Sequence, residues 1–196
     1  MDRRSLLSNA VLGGATIVGA SALGGFAPED AFAAETVKIE PGMPDPEFAE
    51  GLIRSINGST IRAIGSDTSL WKIRIADSTS VWKLKPTTAD EIAVGDGLYA
   101  RGARLKDGTL AADAVWVNIV NITAHIVSIQ DKKLKLNHNG DHLTAHMVDG
   151  VSAAVYNGTP ATRDVSHIKV DSHVQILGAW RPGTNDVDVA TIYSHQ

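Results

Sequence analysis

Histidine is the residue type whose placement in this sequence most strongly indicates chemistry. All seven histidines lie after residue 120. The densest group is His138-Asn139-Gly140-Asp141-His142. The chain contains no cysteine, which excludes disulfides, thiolate metal sites and a cysteine nucleophile. A transition-metal site would therefore have to combine imidazole with carboxylate groups.

A metal site is one function that this histidine group predicts. We expect a β-hairpin with its turn at Asn139-Gly140, which would direct leucines to the core and the histidines of the next strand to the opposite face. His142 and His146 are four residues apart, about 13 Å along a strand, so one metal cannot bind both directly. A histidine from another strand would have to complete the site. The ligands predicted in this way are His138, Asp141, His142 and His173, for copper, nickel or zinc. The alternative interpretation is a solvated strand face that carries histidines.

The sequence contains no strong pattern for nucleophilic catalysis. Asp171-Ser172-His173 has the residue types of a catalytic triad, but neighbours on a strand point to opposite faces. A Gly-x-Ser-x-Gly segment is absent from the sequence. We therefore assign no catalytic or cofactor-binding residue and favour a non-catalytic protein, with a small enzyme acting through its second half as an alternative.

Trp116 is the candidate ligand-binding aromatic residue. It alternates with Val115 and Val117, so its ring is expected either to pack at an interface or to lie exposed. An exposed ring on a small barrel can stack against a sugar or a base.

The elements that position these residues are β-strands. From Ala49 onward the apolar residues recur with a period of two. The pattern occurs twice, since Ile53-Arg54-Ser55-Ile56 is matched by Ile126-Val127-Ser128-Ile129. This repeat predicts an all-β fold of two tandem small OB-like barrels, residues 50–120 and 121–196. Each would have five to six strands and one short helical turn. The alternative is one continuous sandwich.

The N-terminal region has the pattern of an export signal. Residues 1–33 contain paired arginines, an uncharged stretch and the small-x-small segment Ala31-Phe32-Ala33, which together resemble a twin-arginine signal peptide. A membrane anchor is the alternative. Residues 34–49 are predicted to form an extended, proline-rich leader. We expect an exported protein, extracellular or associated with the cell wall, that has no membrane association after cleavage.

The net charge of −4 gives the expectation about partners. A general nucleic-acid-binding protein needs a basic surface, so we expect that nucleic acid is not a partner. A cell-wall polymer or another exported protein is the expected partner, and a role as the partner-binding subunit of an exported protein is a further alternative.

Three segments of the first repeat resemble a known repeat domain. They are Gly51 to Ile56, Val94-Gly95-Asp96 and Lys106 to Ala111. They are similar to an OB-like small-barrel domain of unknown function found in exported bacterial envelope ("cell wall protein") sequences. The resemblance implies a non-catalytic binding or structural role at the cell envelope. Wall polysaccharide is the expected ligand class because the acidic net charge disfavours nucleic acid. It provides no catalytic residues.

Overall fold

A computed structural model of the chain describes residues 48–194. The predicted signal peptide and residues 34–47 of the predicted leader lie outside the described residues. The chain divides into two compact units with the boundary between Asn118 and Ile119. Within the described residues, no helix has the length and apolar character needed to span a membrane.

The first unit, residues 48–118, is a closed five-stranded barrel with two short additional strands. The parallel pairing of β3 with β7 closes the ring β1-β2-β3-β7-β6, and β4 and β5 extend from β7. The strands are β1 (Phe48–Asn57), β2 (Thr60–Ile64), β3 (Leu70–Arg74), β4 (Ser80–Lys83), β5 (Lys85–Thr87), β6 (Gly97–Arg104) and β7 (Leu110–Val117).

The second unit, residues 119–194, repeats this topology. The parallel pairing of β10 with β13 closes the ring β8-β9-β10-β13-β12, and β11 extends from β13. Its strands are β8 (Ile119–Gln130), β9 (Lys133–His138), β10 (Asp141–Met147), β11 (Ala153–Tyr156), β12 (His173–Trp180) and β13 (Asp186–Ser194). The all-β prediction with two small OB-like barrels is confirmed.

Alternation of apolar and polar residues explains the two cores. In the first unit Ile61 faces Ile73 across the β2–β3 pair, and both are fully buried. The turn before β2 contains Gly58 at φ 54°, a conformation in which glycine has no steric penalty. In the second unit Leu136 faces Leu143, and both are again buried.

Backbone hydrogen bonds identify equivalent positions in the two units. In the first unit Gly95 N–H donates to the Ile53 carbonyl (3.0 Å) and Ile53 N–H donates to the Asp96 carbonyl (2.9 Å). In the second unit Asp171 N–H donates to the Ile126 carbonyl (2.9 Å) and Ile126 N–H to the Ser172 carbonyl (3.0 Å). Asp171 therefore stands in the place of Gly95, and Ser172 in the place of Asp96.

The segment that precedes this hydrogen-bonded pair differs between the units. In the first unit it contains a 3-10 turn at Ala89–Glu91, as predicted. In the second unit the corresponding segment forms a hydrogen-bonded turn in which Ile168 N–H donates to the Val165 carbonyl (3.1 Å). The prediction of a helical turn in each unit is therefore met as a 3-10 helix in the first and only as a single turn in the second.

A buried polar cluster around Asp96 is specific to the first unit. The Asp96 carboxylate accepts hydrogen bonds from Ala93 N–H (2.9 Å), Asn118 Nδ2 (2.9 Å) and Lys83 Nζ (3.0 Å). Asn118 in turn accepts a hydrogen bond from Gly97 N–H (2.8 Å). The Val-Gly-Asp segment thus connects the β6 start, β4 and the end of the unit. Ser172 has no carboxylate with which to build this cluster in the second unit.

Candidate functional site on the second unit

The β9–β10 hairpin forms with the register expected from the sequence. His138 pairs with Asp141, and Asn137 pairs with His142. The leucines of both strands are buried, whereas His142 is exposed on the opposite face. The hairpin therefore places His142 on the outer surface of the second unit.

The register of the neighbouring strands extends this hairpin into a row of polar residues. Asn137 on β9 pairs with His125 on β8, and His125 pairs with His173 on β12. Directly paired residues have side chains on the same face of a sheet. We call this row, His142-Asn137-His125-His173, the histidine face. Because adjacent strands are about 4.8 Å apart, the row is about 14 Å long when measured along the curved outer surface of the barrel.

The centre of the histidine face is a pair of imidazole rings. The ring centres of His125 and His173 are 5.0 Å apart, with an edge-to-face angle of 63°. The Asp171 carboxylate lies beside them, with Oδ1 3.9 Å from His125 Nε2. The side chain of His125 is 35% exposed and that of Asp171 is 86% exposed, so solvent and ligands have access to this pair.

The four predicted metal ligands do not come together. His142 and His173 are at opposite ends of the histidine face, because two strands separate them. Within residues 48–194, no three histidine, aspartate or glutamate side chains are placed so that they could hold a metal ion. The strand register therefore does not bring His138, Asp141, His142 and His173 together as one cluster, and metal binding by these residues stays a prediction. The sequence suggests His173 only as a histidine from another strand, and in the structure its strand, β12, pairs with β8 and not with the hairpin.

His138 has a defined tautomer because of its hydrogen bond. Its Nδ1 lies 2.7 Å from the Thr123 carbonyl oxygen, which can only accept, so Nδ1 carries the proton. Its Nε2 is then a buried acceptor without a hydrogen-bond partner. This bond ties the end of β9 to β8 and directs the His138 ring away from the row formed by His142 and His173.

Trp116 lies on β7 of the first unit and has no exposed surface. It pairs with Tyr99 on β6 and with Trp82 on β4, and all three aromatic rings are buried. Burial favours the packing interpretation over ligand contact. The ligand-binding assignment of Trp116 stays a prediction.

The equivalent face of the first unit is chemically different. Its row is Leu70-Ile64-Leu52-Gly97, in which each residue pairs with the next across β3, β2, β1 and β6. Leu70, which corresponds to His142, is 83% exposed. The barrel therefore does not require polar residues at these positions, and the histidine face is a property of the second unit.

His125 is the residue that sequence reasoning did not include in the site. The sequence repeat could have located it on the outer face of its strand, since His125 precedes Ile126 as Leu52 precedes Ile53. Its partner, however, follows the loop between β11 and β12. The pairing with His173 becomes visible only when the β8–β12 register is known.

Comparisons with known proteins do not identify a family. No family model matches the chain, and no curated protein matches it. A solved structure that does match is described as a multidomain protein with nucleic acid binding domains from Streptococcus pneumoniae TIGR4. The identity is 10%, the match covers 74% of this chain and 73% of that chain, and the TM-score is 0.25. At these values the match says nothing about what this chain binds.

The expectation that nucleic acid is not a partner is corrected because its premise is insufficient. The exclusion of nucleic acid depends only on the acidic net charge of the whole chain. The net charge of a whole chain does not describe the local charge of one face of a barrel. The exclusion of nucleic acid is therefore withdrawn.

Proposed function

We propose that this chain is an exported, non-catalytic binding or structural protein of the cell envelope. The observation that supports a binding role is the histidine face, a row of exposed or half-exposed polar side chains across four strands. The equivalent row of the first unit is leucine, isoleucine and glycine. Exposed donors and acceptors on a rigid sheet can hydrogen-bond to a ligand, and this capacity is what supports the binding role.

The chemistry of the row favours a ligand rich in hydroxyl groups. A neutral imidazole has one donor and one acceptor, and an asparagine amide has both. Hydroxyl groups also donate and accept, so a polysaccharide can hydrogen-bond to successive members of the row. Regular strands hold these side chains on a broad surface, which suits an extended polymer.

Export is the second part of this proposal and is supported by the pattern of residues 1–33. N-terminal sequencing of the protein from the culture medium or the cell wall is expected to begin at Ala34. An intact N-terminus retained in the membrane would refute export by cleavage.

Binding is tested with purified wall material and with soluble glycan fragments released from it. We expect the full chain to be retained on the wall material and to be released by the glycan. His142→Ala is expected to weaken glycan binding by about tenfold, the equivalent of one hydrogen bond at about 1.4 kcal/mol.

Leu70→Ala is the matched control, because Leu70 holds the same place on the first unit and should not affect binding. Equal affinity of the His142→Ala variant and the unmodified chain would refute the role of this face. Release by a single-stranded oligonucleotide, but not by glycan, would refute the polysaccharide as the ligand.

A further inference from the structure

We propose that His125 and His173 form a copper(II)-binding pair on the outer surface of the second unit. This pair differs from the ligand set expected from the sequence, because it joins β8 to β12 and does not use the β9–β10 hairpin. The inference goes beyond the proposed envelope function and does not depend on glycan binding.

The separation of the two rings fits one shared metal ion. A bound metal lies about 2.0–2.1 Å from an imidazole nitrogen, which lies about 1.1 Å from its own ring centre. For nitrogen–metal–nitrogen angles between about 90° and 109°, the two ring centres are then about 4.5–5.1 Å apart. The observed separation is 5.0 Å. Rotation about a Cβ–Cγ bond turns a ring with little displacement of its centre, so this separation is compatible with both rings facing one ion after such a rotation.

The strands hold the two ligands in place. His125 and His173 are directly opposite each other in the antiparallel β8–β12 pair. The residues on either side of His125, Ala124 and Ile126, are buried in the core of the unit. Because this register cannot slip without moving core residues to the surface, the two imidazoles are positioned before a metal arrives.

Asp171 supplies negative charge at the same place. Its carboxylate is 3.9 Å from His125 Nε2, where it would lower the free energy of a nearby cation. The two imidazoles are the direct protein ligands, and water or a further ligand completes the coordination. Asp171 is a positioning and charge-balancing residue.

The choice of metal follows from the donor atoms. Imidazole nitrogen suits copper, nickel and zinc, and the affinity of a given site among divalent metals is highest for copper(II). Copper(II) also accepts two adjacent imidazoles together with water in a tetragonal arrangement. The equivalent pair in the first unit, Leu52 and Gly97, has no side-chain ligand, so that unit should not bind copper in this way.

The test is a titration of the full chain with copper(II) chloride, followed by calorimetry and by electron paramagnetic resonance. We expect His125→Ala and His173→Ala each to weaken the tightest binding event by about tenfold or more, and Asp171→Asn to weaken it by a smaller factor. The double variant should be little weaker than either single variant, because the two rings act as one site. The resonance spectrum should show two coupled imidazole nitrogens in the unmodified chain, and this pattern should be lost in each single variant.

His146→Ala is the matched control, since His146 is a histidine of the same unit that lies outside the histidine face, paired with Lys133 and beside Asp186. This variant should bind copper as the unmodified chain does. Copper affinity that is insensitive to both His125 and His173, or that falls equally in the control, would overturn the proposal. The circular dichroism of each variant verifies that a change in affinity does not come from unfolding. Loss of glycan binding is measured separately with His142→Ala, so the two proposals can fail independently.

Discussion

Removal of the Asp96 carboxylate should destabilise the chain more than any change at the equivalent position of the second unit. Asp96 is 4% exposed and accepts hydrogen bonds from Ala93 N–H, Asn118 Nδ2 and Lys83 Nζ. Asp96→Ala would leave these three donors without their acceptor. The expected loss depends on which of them can be rehydrated.

The magnitude follows from the exposure of each donor. Loss of one partner of a buried ion pair costs about 3–5 kcal/mol. The Lys83 side chain is 30% exposed, so its ammonium group can recover hydrogen bonds to water. Asn118 is 2% exposed, and a buried donor left unsatisfied costs about 1–3 kcal/mol. We therefore expect Asp96→Ala to lower the free energy of unfolding by about 3 kcal/mol, at the low end of the range for buried pairs.

Urea denaturation followed by tryptophan fluorescence measures this loss. Three of the four tryptophans, at positions 71, 82 and 116, belong to the first unit, so fluorescence is sensitive to its unfolding. Ser172→Ala is the control at the equivalent position, where the hydroxyl donates to the Lys169 carbonyl in an exposed setting. Its expected cost is about 0.5 kcal/mol or less.

Asp96→Asn adds a second measurement of the same cluster. It preserves the shape of the side chain but places an amide donor among the three existing donors, so it should reproduce at least half of the loss seen with alanine. If Asp96→Ala costs no more than Ser172→Ala, the cluster does not stabilise the fold and the reasoning is wrong.

Two further predictions concern a carboxylate and a glycine. Hydrogen bonds from the backbone and the side chain of Thr109, and the charge of Lys72, hold the pKa of Asp107 below its ordinary value of 3.8. A carboxyl group with a lowered pKa in the folded state stabilises that state above pH 3.8, and this contribution is lost as the pH falls below 3.8 through the folded pKa. Thr109→Val should therefore raise the pKa of Asp107 in an NMR titration, and an unchanged value would contradict the assigned cause. For the glycine, a Cβ at Gly102 would lie 2.0 Å from the Ala111 carbonyl oxygen, so we expect Gly102→Ala to cost about 2 kcal/mol or more in thermal denaturation. Gly108→Ala meets no atom within 4 Å but has φ +80°, and its cost should be about 1 kcal/mol; equal costs for the two would show that the backbone at Gly102 moves aside.

The strands, the repeat and the β9–β10 register could be predicted from the sequence because each depends on local patterns. Alternation places Ile61 and Ile73 in a core, and Asn139-Gly140 determines a hairpin whose pairs follow by counting. The position of His173 beside His125 could not be predicted in this way. It depends on how a strand that follows a long loop aligns with β8, and no short-range signal specifies that alignment.

The Asp96 cluster also could not be predicted from local sequence patterns. The Val-Gly-Asp segment is recognisable in the sequence, but the partners of Asp96, Lys83 and Asn118, are 13 and 22 residues away. Asn118 adopts φ 54°, a conformation that asparagine tolerates better than most residues. The sequence shows which residue types are present. Their side chains come together only when the barrel has closed.

Each barrel is closed by one parallel strand pairing, which we call its seam, and the two seams differ in the number of paired residues. In the first unit β3 and β7 share the pairs Ile73–Leu110 and Arg74–Ala111, whereas β10 and β13 are paired from Thr144 to Met147. Both seams join segments that are distant along the chain, so each can form only after the intervening loop has closed, a slow step in folding. The shorter seam of the first unit has fewer paired residues to separate than the seam of the second unit. It also has fewer paired residues than the other four pairings of its ring. That barrel should therefore open first at this seam under heat or mechanical load, which would separate the buried Ile73 and Leu110.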